Sequence, residues 1–373
     1  MTTLLIFISC MPRLEVLLER EVKEILDAPK IARKHGGLEL RVRPEELWRL
    51  SHDLRIAASI RVRIGQGHVP NFDALMDRVG RVALSSYFAR TALPKVQVRC
   101  RKSSLYHADA VRERVEDFFV QRAACGGRAL GSAAAVTPDE GPTVHLRIVN
   151  DVATISVSAA EALYRRGLRA RVHRAPLRET YAAACLRASG LDRSMSLADP
   201  VCGSGVFLTE RAAIAGGLCL PRRFAFETWP THDASAYAAW CAARPGVVYP
   251  DGLRMWGGDH NAQALQMAAE NLAPWKAGDA LTLRRADARA FLAQLSPLTD
   301  VIANPPWSKR LRGADAVGAI FGDWLRARPA DATGKVVVLV TGHEFLRATG
   351  VRWREVLRFT DANTPVRLME FVR

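Results

Sequence analysis

The chain has 373 residues, 49% of them hydrophobic, which leaves room for two or three globular domains and excludes the low-complexity classes. Fifty-three Lys and Arg residues against 38 Asp and Glu residues give a net charge of +15; this favours nucleic acid as a partner, although an arginine-rich proteome would give the same excess. No apolar run reaches the roughly 18 residues of a membrane span, and Cys and His have no metal-ligand spacing, so we expect no membrane partner, no targeting segment and no metal.

The first 65 residues alternate between strand and helix patterns. The pattern predicts a strand "LLIFIS", an amphipathic helix over 12–26, a strand "GLELRV", a helix from Pro44 and a strand in "RIAASIRVRIG". This β-α-β-α-β order predicts a ferredoxin-like α+β domain over residues 1–65.

Residues 66–160 predict a second α+β region. A helix pattern over 71–89 precedes the strand "KVQVRC", which leads into a basic, hydroxyl-rich loop. A helix with apolar positions at Val111, Val115, Phe118 and Phe119 follows. Two alternating strands then flank Asn150-Asp151, which predicts a tight hairpin turn.

From about residue 161 strands and helices alternate more regularly. The strand patterns are "SLAD", "RMWGGD", "LTLRRAD", "DVIANPP", "KVVVLVTG" and "VRLMEFV", with helices predicted over 205–216 and 260–272. This order predicts a mostly parallel sheet that is covered on both faces. Ligands bind such sheets at the carboxyl ends of the strands.

Acidic residues end three of these strands. Asp199 precedes a Gly203-Ser204-Gly205 turn, whose glycines allow close approach of a ligand to a helix N-terminus, although the turn matches neither phosphate-loop nor dinucleotide fingerprints. Asp259 could accept hydrogen bonds from two ribose hydroxyls, and Asp287 could accept one from an adenine amino group. Each acid alone is more often a helix N-cap, but three in register favour a ligand site.

The fourth strand ends in Asn304-Pro305-Pro306-Trp307. The two prolines stop the strand because neither can donate a hydrogen bond to a neighbour. One interpretation is a structural turn with the indole in the core. The other is a rigid hook that presents polar acceptors and an aromatic ring to a ligand.

Several segments resemble a known family. Four segments, taken in chain order, resemble class I S-adenosylmethionine-dependent methyltransferases that modify exocyclic amino groups. They are "DPVCGSG", "GGDHNAQALQMAAENL", "RADARAF" and "NPPW". "CRKSSLYHADAVRERV" resembles a THUMP domain, an RNA-binding module, and "LYRRGLRARVHRAPLRETYAAACLRASG" resembles the entry segment of THUMP-linked guanine methyltransferases. "PRRFAFETWPTHDASAYAAW" is similar to the bacterial branch that acts on large-subunit ribosomal RNA.

This resemblance implies an α/β fold class. A Rossmann-like class I methyltransferase domain, with a mixed, mostly parallel seven-stranded sheet, would occupy residues 161–373. The ferredoxin-like domain over 1–65 and a THUMP RNA-binding domain over 66–160 would precede it.

The resemblance also implies roles for individual residues. The residues expected to bind S-adenosylmethionine are Asp199, Pro200, Cys202, Gly203, Ser204, Gly205, Phe207, Asp259, His260, Asp287, Ala288 and Asn304. The expected catalytic residues are Asn304, Pro305, Pro306 and Trp307. The Asn304 side-chain oxygen and the Pro305 carbonyl would accept both N–H groups of the target amine, and Trp307 would stack on an extruded base.

Two basic clusters are expected to contact RNA. They comprise Arg101, Lys102, Ser103 and Ser104, then Arg165, Arg166, Arg169 and Arg171. A solvated basic face is the alternative explanation.

The predicted function is methyl transfer from S-adenosylmethionine to the 2-amino group of a guanosine, in large-subunit ribosomal RNA that is naked or part of a pre-ribosomal particle. Transfer RNA is an alternative substrate, because THUMP modules occur with both. The family more often has Tyr or Phe at position 307 and a small or aliphatic residue at 260. A weak or inactive RNA-binding ribosome assembly factor is therefore the alternative of a different class. Either protein would be cytoplasmic, or reside in an organelle matrix if the chain is processed.

Overall fold

The computed structural model describes residues 3–89, 93–124, 142–166, 177–217, 222–305, 314–361 and 364–373. The chain packs as two compact units. The first comprises Met1–Cys10, Glu19–Leu163 and Pro221–Arg244, and the second comprises Met11–Leu18, Tyr164–Leu220 and Pro245–Arg373. These units are defined by packing, so the three-domain division at residues 65 and 160 stays a prediction.

The elements before residue 161 supply the sheet of the first unit. They are β1 (Leu4–Ser9), α1 (Glu15–Ile25), β2 (Ile31–Lys34), β3 (Gly37–Val42), α2 (Pro44–Asp53), β4 (Ser59–His68), α3 (Phe72–Gly80), β5 (Lys95–Arg101), α4 (Ala108–Ala124), β6 (Thr143–Val149) and β7 (Val152–Ala160). The strand order is β2-β3-β1-β4-β7-β6-β5, in which β5 and β6 are parallel and the other neighbours are antiparallel. The predicted β-α-β-α-β order is confirmed, with β2 as an additional strand.

The hairpin between β6 and β7 has the predicted turn. Asn150 and Asp151 have φ angles of 51° and 59°, and Val149 pairs with Val152. Two successive residues with positive φ match the right-handed twist of the strands, which is why Asn and Asp are favoured there.

The remaining helices and strands are α5 (Glu179–Ser189), β8 (Ser196–Asp199), α6 (Val206–Gly216), α7 (Ala234–Ala242), β9 (Arg254–Asp259), α8 (Ala262–Leu272), β10 (Leu281–Arg285), α9 (Ala288–Leu292), β11 (Asp300–Ala303), α10 (Ala314–Ala327), β12 (Val336–Val340), α11 (Glu344–Thr349), β13 (Arg352–Asp361) and β14 (Thr364–Val372). All of these except α7 belong to the second unit. α7 lies in the segment Pro221–Arg244, which packs with the first unit although it falls between α6 and β9 in the chain. In the first unit, Tyr237 of α7 packs edge-on against Trp48 of α2, with ring centroids 5.3 Å apart.

The second unit contains a seven-stranded sheet of order β10-β9-β8-β11-β12-β14-β13. The five strands from β10 to β12 are parallel neighbours, whereas β14 is antiparallel to both β12 and β13. This confirms the predicted mixed, mostly parallel sheet. All five residues of β12, "VVVLV", are buried, as expected for a strand covered on both faces. Among the described residues, no helix combines the length and hydrophobicity that a membrane span requires.

Candidate active site

The strand order reverses next to β8, which lies between β9 and β11. β8 comes first in the chain among the parallel strands, so the connections that follow β8 and β11 leave the sheet in opposite directions. Such a switch point opens a crevice at the carboxyl ends of the strands. Asp199, Asp259 and Asn304 each stand at or directly after one of these ends.

The turn after β8 adopts a backbone that requires glycine. Gly203 and Gly205 have φ angles of 54° and 80°. A Cβ on Gly205 would lie 3.2 Å from Cβ of Ala268 in α8, so this glycine also allows close helix packing. A Cβ on Gly203 would meet no described atom within 4 Å, which leaves open space above its backbone. This turn can therefore lie directly against a ligand.

Asp259 joins the second strand end to this turn. One carboxylate oxygen accepts a hydrogen bond from the Gly203 N–H at 3.0 Å, and the other accepts one from the Asn261 N–H at 2.9 Å. Each carboxylate oxygen has a second lone pair, so Asp259 can still accept bonds from two hydroxyl groups. The neighbouring His260 is exposed, with Nδ1 3.4 Å from the same carboxylate.

Asp199 is almost completely buried, with 1% of its surface exposed. Burial is the main cause that raises the pKa of Asp199 to about 8; a hydrogen bond from the Val201 N–H opposes the rise, and the nearby Asp259 charge adds to it. A carboxyl group in this environment favours a positively charged partner. Burial, followed by the charges of Asp199 and Asp259, also raises the pKa of the Cys202 thiol well above its usual value.

The third strand end places Asp287 as the N-cap of α9. Its side chain accepts a hydrogen bond from the Ala290 N–H at 2.9 Å, and Ala288 is buried behind it. The Ala286 N–H donates to the Asp259 carbonyl at 3.1 Å, which joins this segment to the second strand end. One lone pair of the capping oxygen stays available, so the cap does not exclude a ligand contact.

The segment after β11 begins with Asn304, whose side chain includes a buried polar atom. Oδ1 of Asn304 is buried and has no hydrogen-bond partner among the described residues. Pro305 is also buried, whereas Pro306 and Trp307 lie outside the described residues. A buried acceptor without a donor costs free energy, so the Asn304 oxygen is a candidate for ligand binding.

Three other predicted cofactor residues lie in the interior of the second unit. Pro200, Ser204 and Phe207 are buried, and Phe207 has no exposed surface. Asn271 is a further residue of the site, beyond those expected from the sequence: its Nδ2 donates to the Ser204 carbonyl at 3.0 Å and so holds the glycine turn. Its signal was a polar residue on the buried face of α8, beside Ala268 and Leu272.

The first basic cluster is a loop at the β6–β7 hairpin. Arg101 and Lys102 are exposed. The Ser104 N–H donates to the Asp151 carboxylate at 2.6 Å, and Ser103 Oγ accepts from the Asp151 N–H at 3.1 Å. The two serines therefore fix the loop, and the two basic side chains remain accessible to an anion.

The second basic cluster is described only in part. Arg165 is exposed, with its guanidinium carbon 5.6 Å from the Tyr164 ring centroid. Arg166 is buried and forms an ion pair with the fully buried Glu210 of α6. Arg169 and Arg171 lie outside the described residues. Arg166 thus has an internal role in this conformation.

Within the described ranges, no cluster of three or more His, Cys, Asp or Glu side chains could hold a metal ion.

The second unit, with its sheet order and glycine turn, has the Rossmann-like fold of class I methyltransferases. Residues 166–362 match the family described as "RMKL-like, methyltransferase domain", and the chain belongs to this family.

Curated relatives are named ribosomal RNA large subunit methyltransferase K/L. The one from Methylococcus capsulatus is 28% identical over 373 residues, covering 93% of this chain and 48% of the relative. The one from Syntrophotalea carbinolica is 26% identical over 387 residues, covering 98% and 53%. The chain thus spans about half the length of these relatives.

Solved structures with the same fold include SMU.472 complexed with SAH and TrmN from Thermus thermophilus. SMU.472 has a TM-score of 0.82 at 21% identity, covering 100% of this chain and 98% of its own. TrmN has a TM-score of 0.65 at 20% identity, with 100% of both chains covered. These similarities concern the fold.

Proposed function

We propose that the protein transfers a methyl group from S-adenosylmethionine to the 2-amino group of a guanosine in large-subunit ribosomal RNA. Family membership supports the reaction class, and the names of the K/L relatives support the RNA substrate. The observation that carries the proposal is the buried Oδ1 of Asn304 without a described partner, at the same sheet edge as the glycine turn. A cytoplasmic site of action is part of this proposal.

The residues at the three strand ends fit S-adenosylmethionine. Open space above Gly203 can receive the methionine portion, and the buried Asp199 carboxyl can face its ammonium group. Asp259 keeps acceptor capacity for the two ribose hydroxyls. Asp287 and Ala288 would meet the adenine. When bound, the cofactor supplies an electrophilic methyl group on a positively charged sulfur.

The chain's own contribution to the reaction is orientation and acceptance of hydrogen bonds. An exocyclic amine is a poor nucleophile because its lone pair is delocalised into the ring. Asn304 Oδ1 and the Pro305 carbonyl would accept its two N–H groups, localise the lone pair and direct it at the methyl carbon. Pro305 fixes the backbone φ, so these acceptors are preorganised. We further propose that Pro306 completes this rigid turn and that Trp307 stacks on the base.

RNA binding is proposed for the exposed Arg101 and Lys102 and for Arg165. Their guanidinium and ammonium groups can contact phosphates without reading sequence. Arg169 and Arg171 stay part of this prediction. Arg166 contributes through its ion pair with Glu210, which anchors the chain before α5 to α6.

The direct test is to map methylated guanines by mass spectrometry in ribosomal and transfer RNA from cells with and without the gene. The proposal expects one 2-methylguanosine of large-subunit ribosomal RNA to be lost. Loss of a transfer RNA methylation instead would reassign the substrate. Unchanged modification of both RNAs, together with cofactor binding in calorimetry, would support the assembly-factor alternative.

A further inference from the structure

Helix α8 carries a polar residue at a position where its pattern favours an apolar one. The buried positions of α8 follow the spacing i, i+4, i+7 and i+8 of a helix face that packs on a core; they are Ala264, Ala268, Asn271 and Leu272. Only 1% of the Asn271 surface is exposed. A buried amide costs free energy unless it forms hydrogen bonds, so packing alone does not explain an asparagine at this position.

Asn271 donates to a carbonyl that lies just before helix α6. Gly205 is the N-cap of α6, and its carbonyl accepts from the Thr209 N–H at 2.8 Å. Helical hydrogen bonds begin at the N-cap carbonyl, so the carbonyl of the preceding Ser204 is not part of the regular series. Nδ2 of Asn271 donates to this Ser204 carbonyl at 3.0 Å. The side chain of α8 therefore supplies a donor that the regular helix does not.

The peptide group between Ser204 and Gly205 is held at both ends. Its carbonyl accepts from Asn271, and its N–H donates to the Cys202 carbonyl at 2.8 Å. A peptide group is planar, so the two bonds together fix its orientation. Gly205 has a φ of 80° and no Cβ, so its backbone has fewer steric restraints than that of other residues. The Asn271 bond therefore supplies a restraint that glycine lacks.

This peptide group adjoins the space proposed above for the cofactor. The Gly203 N–H donates to Asp259 at 3.0 Å, and a Cβ on Gly203 would meet no described atom within 4 Å. Asp259 thus joins one end of the glycine turn to β9, and Asn271 joins the other end to α8. Each restraint on the turn reduces the conformational entropy that is lost when a ligand orders it.

We infer that Asn271 is a positioning residue for S-adenosylmethionine, whose amide fixes the Ser204 carbonyl and thereby the backbone against which the cofactor binds. The inference rests on the proposed function. Asn271 acts through the Ser204 carbonyl, since it is buried on the face of α8 that packs against the turn. A purely structural role would make the same bond one of many that hold α8 to the core.

The test replaces Asn271 by leucine, which has a similar size and no donor, and by serine, which is shorter and keeps the position polar. The control is Thr349→Val. Thr349 is fully buried in α11 of the same unit, and its hydroxyl accepts from Trp353 Nε1 at 2.9 Å, so the control also removes a buried hydrogen bond. Thermal unfolding establishes that each protein is folded. The serine variant decides the question if the leucine variant does not fold.

Two measurements are made on each folded protein. Calorimetry gives the affinity for S-adenosylmethionine, and mass spectrometry gives the hydrogen exchange of residues 200–208 before cofactor is added. The inference expects both Asn271 variants to bind the cofactor about tenfold more weakly and to exchange the amide hydrogens of the turn faster. Thr349→Val should keep the wild-type affinity and exchange.

Methyl transfer to large-subunit ribosomal RNA separates positioning from a loss of folded protein. Positioning by Asn271 predicts that the KM for S-adenosylmethionine rises about as much as the affinity falls, whereas a loss of folded protein would lower the rate and leave KM unchanged. Wild-type cofactor affinity in a folded Asn271 variant would overturn the inference. No cofactor binding by the wild-type protein would instead reject the proposed function, and the exchange of the turn would still show whether Asn271 holds it.

Discussion

The Asp259 carboxylate accepts a hydrogen bond from the Gly203 N–H at 3.0 Å, so the end of β9 holds the glycine turn that follows β8. The same carboxylate accepts from the Asn261 N–H at 2.9 Å, which fixes it at the start of α8. The proposed cofactor pocket is therefore built on a turn whose backbone is tied to the neighbouring strand end by the Asp259 carboxylate.

Gly203 allows a matched test of that pocket. Gly203→Ala and Gly217→Ala both place a side chain at positive φ, 54° and 62°, and in both cases the new Cβ meets no described atom within 4 Å. Each should lose a similar stability, about 1 kcal/mol. Only Gly203→Ala should weaken S-adenosylmethionine binding in calorimetry, by roughly tenfold or more, because its Cβ occupies the proposed ligand space. Equal cofactor affinities in the two variants would remove Gly203 from the site.

Asp199 should make stability depend on pH. Burial raises the pKa of Asp199 to about 8, from the 3.8 of an exposed carboxyl. The folded chain therefore binds more protons than the unfolded chain between about pH 4 and 8, and stability falls as pH rises through this interval. Asp199→Asn should stabilise the cofactor-free protein by about 1–2 kcal/mol at pH 9 and have little effect at pH 4, as measured by thermal unfolding.

Asp251→Asn is the control for Asp199→Asn. Asp251 is exposed in the same unit, so its replacement removes an equal formal charge without a buried group. The explanation by burial is wrong if both substitutions change the unfolding temperature equally at pH 9.

His52 should produce the opposite pH dependence in the first unit. Its Nε2 lies 2.8 Å from the Tyr237 hydroxyl, and burial, followed by the charges of Arg244 and Arg222, lowers the pKa of His52 to about 4. Between about pH 6.5 and 4 the unfolded chain binds the additional proton, so stability falls as pH falls.

His52→Gln should remove roughly 2 kcal/mol of this acid destabilisation, measured as the change in unfolding free energy between pH 7 and 4. His35→Gln serves as control, because His35 is exposed in the same unit. Identical pH profiles for the two variants would show that His52 does not cause the acid sensitivity.

The sequence predicts the strongly periodic elements and fails where the pattern is weak. "LLIFIS" and "VVVLV" carry clear apolar signals and form β1 and β12. β2 was missed because only Ile31 of its four residues is even half-buried. β13 was missed because "RWREVLRFTD" is mostly polar and becomes a strand by pairing with β14.

The candidate site was predictable at its strand ends and less so in its contacts. Asp199, Asp259 and Asp287 each follow a predicted strand of the alternating strand–helix region, and this indicates a shared sheet edge. Their partners are backbone N–H groups, whose positions depend on the folded turn. The packing of Tyr237 against Trp48 joins residues 189 positions apart, and no local pattern encodes such a contact.

Asn304→Ala tests the central claim most directly, with Asn71→Ala as control. Asn71 caps α3 through a hydrogen bond from the Ala74 N–H, so its loss costs about 1 kcal/mol of stability without touching the site. The measurement is the single-turnover rate of methyl transfer from S-adenosylmethionine to large-subunit ribosomal RNA, alongside cofactor affinity. If Asn304 accepts from the reacting amine, Asn304→Ala lowers the rate about 100-fold or more, with a much smaller loss of cofactor affinity, while Asn71→Ala retains the wild-type rate. A wild-type rate for folded Asn304→Ala would contradict the account and leave the turn after β11 with a structural role.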